Sequence, residues 1–149
     1  MRISCMGITV FFLFIFIFSS TGFAQGKYGE VGKLFTEAEA NELFGPVLEQ
    51  VEITPAELRA SINHQGDYTL FNIIDGELVI SNESRTVVTV SNKIDDRTPM
   101  YVYSNSMIDE LLAKGEGNKV QVRLHAQVLS IAFGPIILEM GPVCPPFCD

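Results

Sequence analysis

Positive charge, histidine and cysteine are scarce in this chain, and each scarcity narrows the function. The 149 residues carry 10 Lys plus Arg against 18 Asp plus Glu, a formal net charge of −8. Holding a phosphate backbone takes clustered Lys and Arg, so the composition argues against a nucleic-acid partner. Two histidines, His64 and His125, leave little material for a nucleophile–histidine–acid triad, and they lack a metal spacing such as His-x-x-x-His. Both read as exposed residues, His64 in a polar turn and His125 at a strand end. Ser61, Ser104 and Ser106 fit turns and helix caps better than nucleophilic roles. No glycine loop precedes a helix to cradle phosphate, since Gly115-Glu116-Gly117 follows one. Asp95-Asp96 lacks the alternating acids and central glycine of a calcium loop and reads as solvated. No cofactor is implied, and the chain leans away from catalysis.

What is abundant is apolar, 47% of residues against 19% charged, too apolar for a disordered tail. The excess is concentrated at the start. Arg2 is followed by Ile8-Thr9-Val10 and Phe11-Phe12-Leu13-Phe14-Ile15-Phe16-Ile17-Phe18, then by Ser19-Ser20-Thr21-Gly22-Phe23-Ala24. A charged start, a short apolar stretch and a small-residue exit are the parts of a secretory signal peptide. The run is too short for a spanning helix, which takes about 20 apolar residues. Residues 1–24 are therefore expected to be a signal peptide cut after Ala24, leaving no membrane span and a secreted or periplasmic protein.

Cys5 leaves with that leader, and Cys144 and Cys148 remain in Cys144-Pro145-Pro146-Phe147-Cys148. An even number in an oxidising compartment favours a disulfide between them. In the chain-entropy description so short a loop contributes about 2 kcal/mol. Redox activity of the thioredoxin kind needs two intervening residues and a following helix, neither of which this tail offers. The alternative is a copper or zinc site in which both thiolates are ligands.

Residues 25–33 are rich in glycine and read as a flexible lead-in; residues 34–149 read as a single domain. Thr36-Glu37-Ala38-Glu39 and Thr54-Pro55-Ala56-Glu57 are capping boxes, each opening a short helix. Ser106-Met107-Ile108-Asp109 reads as a third helix start, with Gly115 as its stop. Strands are expected over 47–53, 68–74, 77–81, 85–90, 100–104, 119–125, 127–133 and 136–140. Asp75-Gly76 is a strong hairpin signal, and residues 119–125 alternate apolar and polar side chains. The fold class that follows is α+β, an antiparallel sheet with two or three short helices on one face. The series of helix, hairpin and third strand occurs twice, which suggests two gapped helix-plus-meander repeats.

These readings point to a small exported domain without catalysis, a binding, inhibitory or envelope-associated module whose partner is a protein or small molecule. Tyr101 and Tyr103 share one strand face and are the candidate interaction surface, with core packing as the equal alternative. Extracytoplasmic copper or zinc handling by Cys144 and Cys148 is the alternative. A hydrolase would require a cleft that gathers His64 or His125 with acids. Asn82-Glu83-Ser84 matches the N-glycosylation pattern but carries no weight for function.

Overall fold

A computed structural model describes residues 29–62, 66–89, 94–95, 97–139 and 141–144, with only the backbone of Cys144. The leader, His64, Asp96 and Cys148 lie outside the described residues. The elements run β1 (Lys33–Thr36), α1 (Glu37–Phe44), β2 (Glu49–Ile53), α2 (Pro55–Ser61), β3 (Tyr68–Ile74), β4 (Glu77–Asn82), β5 (Met100–Ser104), α3 (Asn105–Lys114), β6 (Val120–Leu124), β7 (Leu129–Phe133), β8 (Ile136–Glu139) and β9 (Val143–Cys144). The fold is α+β and every ladder is antiparallel.

Each helix grows directly out of a strand whose last residue, or the one after it, is Ser or Thr. At Thr36 and Thr54 the hydroxyl accepts from the amide of Glu39 (3.4 Å) and Glu57 (3.2 Å). Each glutamate in turn accepts from the threonine amide at 2.8 Å, closing the capping box. The third junction differs from the sequence expectation. The helix opens two residues earlier, with Ser104 as N-cap and Ser106 already inside it. Ser104 makes no side-chain cap bond; its hydroxyl accepts from the Val31 amide at 2.6 Å, and its own amide donates to the Val31 carbonyl at 3.0 Å. That clamp, joining residues far apart in sequence, sets the helix start. It also pins the glycine-rich lead-in: Val31 is buried and Lys33 already belongs to a strand.

Two sheets share the strands. The larger has the order β1-β8-β7-β6-β2, and the smaller β4-β3-β5-β9. Strand alternation then separates three apolar layers. Phe71, Ile73, Ile80 and Tyr103 from the smaller sheet meet Val120, Val122, Ile131, Phe133 and Leu138 from the larger, with Leu58 and Ile62 of α2 and Ile108, Leu111 and Leu112 of α3 between them. Alternate residues Tyr68, Leu70, Val79, Met100 and Val102 form the outer face of the smaller sheet, which Val31, Val87 and Ile94 cover. On the larger sheet, Phe35, Ala132 and Ile137 face outward against Ala40 and Phe44 of α1. Thus α2 and α3 share one face of the larger sheet while α1 lies on the other. Each fully buried large side chain here contributes about 1.5–3 kcal/mol.

The repeat pattern holds only in its second half. After α3, strands β6, β7 and β8 form a continuous meander. After α2, the β3–β4 hairpin is followed by a β-branched segment that makes one isolated bridge, Ser81 to Val87, and β5 returns to the opposite side of β3. Two local features explain why Thr86 to Thr89 does not build a ladder. Arg85 has a φ of 61°, and the Thr89 hydroxyl, not a backbone carbonyl, accepts from the Ile80 amide at 3.1 Å.

Tyr103 is the bolt between the layers. It is fully buried, its ring meets Phe71 edge-on at 6.0 Å, and its hydroxyl donates to the Leu129 carbonyl. Two glycines make room for it. A Cβ on Gly141 would sit 2.7 Å from Tyr103 Cζ and 2.6 Å from the Val102 carbonyl oxygen, and one on Gly32 would sit 3.2 Å from Tyr103 Cδ1. Gly32 also has a φ of +112°, a conformation that L side chains avoid.

Candidate functional site

The segment Leu43-Phe44-Gly45-Pro46-Val47-Leu48 runs from the last two residues of α1 to the start of β2 and contains no polar side chain. α1 stops because Gly45 takes a φ of 70° and Pro46 follows, so the chain turns sharply. Only Phe44 folds inward, meeting Phe35 edge-on at 5.2 Å. Leu43 is 59%, Val47 42% and Leu48 65% exposed, three of the four exposed large apolar side chains among the described residues. The fourth, Val88, follows β4 beside the smaller sheet.

Two hydrogen bonds fix the segment's backbone. The Leu48 amide donates to the Leu124 carbonyl at 2.8 Å. His125 Nδ1 lies 3.0 Å from the Gly45 carbonyl oxygen, and its ring meets Phe44 edge-on at 6.3 Å. The exposed side chains therefore stand on a backbone that is already ordered, which lowers the entropy cost of contact with a partner.

His125 itself is buried, contrary to the exposed strand end expected for it. Its second nitrogen, Nε2, lies 3.0 Å from Ser130 Oγ. A carbonyl can only accept, so Nδ1 carries the proton. In the neutral ring Nε2 then accepts from the serine hydroxyl. That is the bonding of a nucleophile and its base, with a backbone carbonyl in the orienting position. Ser130 is only 1% exposed, however, so its oxygen does not meet a substrate in this conformation. The pair acts here as a strut between the segment and the sheet.

Around it runs a polar band on the outer face of the larger sheet. Ser130 pairs with Arg123, and Arg123 with Gln50. Ala132 opposes Ile137 across the next ladder, so a two-residue step brings Ser130 and Glu139 to the same face, where Glu139 opposes Lys33. Arg123 Nε and Nη2 donate to Gln121 Oε1 at 3.1 and 2.5 Å, and Nη2 lies 4.0 Å from Glu37. Glu139 is 1% exposed, and its charge helps to raise the pKa of Tyr101 and Tyr103, after desolvation as the first cause.

The residues singled out from the sequence fall elsewhere. Tyr103 has no exposed surface, and Tyr101 is half-buried against the same inner core, so the two tyrosines serve packing and the exposed apolar surface is at Leu43–Leu48. The reason is that β5 lies between β3 and β9, with both faces covered. Cys144 lies in β9 opposite Met100, with its side chain outside the described set, as is all of Cys148. The disulfide and the metal reading of that pair both lie outside the described residues. Asp95 folds back on its own loop, accepting from the Arg97 amide at 2.8 Å and from the Thr98 hydroxyl at 3.0 Å. Among the described residues no three His, Cys, Asp or Glu side chains cluster as a metal site, and no helix is long and apolar enough to cross a membrane.

The sequence did hold a signal for the segment. Six consecutive nonpolar residues centred on Gly-Pro cannot continue one helix or one strand, so some of them must face water. For His125 the signal was weaker: it ends an alternating strand on the side of Gln121 and Arg123, where burial requires a covering element such as α1. Compared with known proteins, the chain matches no protein-family model, no curated protein and no solved structure.

Proposed function

We propose that this protein is a non-catalytic binding module, exported from the cytoplasm, whose contact surface is formed by Leu43, Val47 and Leu48. One observation carries the reading: three large apolar side chains within six residues are exposed, on a backbone fixed by hydrogen bonds from Leu48 and His125. Nothing in the core requires them to be apolar. Apolar clusters held out to water in this way are what partner surfaces are made of. Export is supported by the arrangement of residues 1–24, and in the exported form Cys144 and Cys148 are joined as a disulfide.

A photo-crosslinking amino acid at position 47 in the native host tests the contact surface, with position 88 as the control site. A defined adduct at 47 that disappears in Leu43→Ser/Leu48→Ser and is absent at 88 is the expected result. Equal adducts at both positions, or none at 47, would sink the reading. Amino-terminal sequencing and thiol titration of the native protein check export and the disulfide: a start at Gln25 and no free thiol are expected.

A further inference from the structure

We draw no further inference here: the strongest candidate, the exposed apolar surface of Leu43, Val47 and Leu48 between the end of α1 and the start of β2, carries none, because nothing in the structure shows what covers it.

Discussion

His125 Nε2 and Ser130 Oγ lie 3.0 Å apart across the β6–β7 hairpin, while the other ring nitrogen holds the Gly45 carbonyl at the same distance. One imidazole thus fixes the exposed apolar segment to the middle of the larger sheet.

Removing that ring should loosen the segment and the sheet together. His125→Ala leaves the Gly45 carbonyl and the Ser130 hydroxyl without their partner, which should cost about 1–3 kcal/mol in urea unfolding. Ser130→Ala should cost about 1 kcal/mol. Because both substitutions break the same hydrogen bond, the double variant should lose less than the sum of the two. Strict additivity would mean that the bond contributes nothing. Hydrogen exchange at the Leu48 amide should quicken in His125→Ala.

Tyr103 predicts the alkaline limit of stability. Desolvation, then the charge of Glu139, raise its phenol well above the ordinary value of 10.0. A raised folded pKa means that the unfolded chain gives up its proton first. The stabilising contribution is therefore complete below pH 10 and is lost as pH rises from there. Tyr103→Phe should lower stability at pH 7 by about 0.5–1.5 kcal/mol, through the lost hydrogen bond to Leu129. It should also flatten the fall above pH 10. A variant that loses stability with alkali as steeply as the parent would show that another group sets the limit.

The two capping boxes predict the opposite edge. Glu57 is held below the usual carboxylate range by the Thr54 hydroxyl and then its amide, and Glu39 by the Thr36 amide and then its hydroxyl. With folded values lowered from 4.5, the contribution is present above that pH and lost as pH falls through the folded value. Thr54→Ala removes an N-cap and should cost about 1 kcal/mol at neutral pH. The difference between the two proteins should shrink as pH falls through the folded value of Glu57, and what remains is the bond from the Glu57 amide to the Thr54 hydroxyl. Ser104→Ala should behave differently: its hydroxyl binds Val31 and no helix amide, so its cost should not vary between pH 7 and pH 3.

The success at Thr36 and Thr54 and the shift at Ser106 have one cause. A capping box closes within four residues, so its chemistry is readable locally. The start of α3 is set by a clamp between Ser104 and Val31, residues brought together only when the lead-in crosses the smaller sheet. The same distinction separates Asp75-Gly76, a hairpin turn in both sequence and structure, from Thr86–Thr89. That segment has strand propensity and lies along β4 but makes only one bridge, because Arg85 has a φ of 61° and the Thr89 hydroxyl takes the Ile80 amide. Tyr101 and Tyr103 share a strand face as the alternation required, but alternation gives no sign of which face meets water.

The sequence alone determined the elements: where two helices begin, where the turns fall, and that the whole is α+β. Those depend on contacts within a few residues, where propensity and capping chemistry act. Only the tertiary structure decided that the strands divide into two sheets, that Tyr103 is interior, and that His125 reaches Gly45 and Ser130. It also left Leu43, Val47 and Leu48 in water. Burial and charge environment depend on what packs against a residue from distant parts of the chain, and no local pattern encodes that.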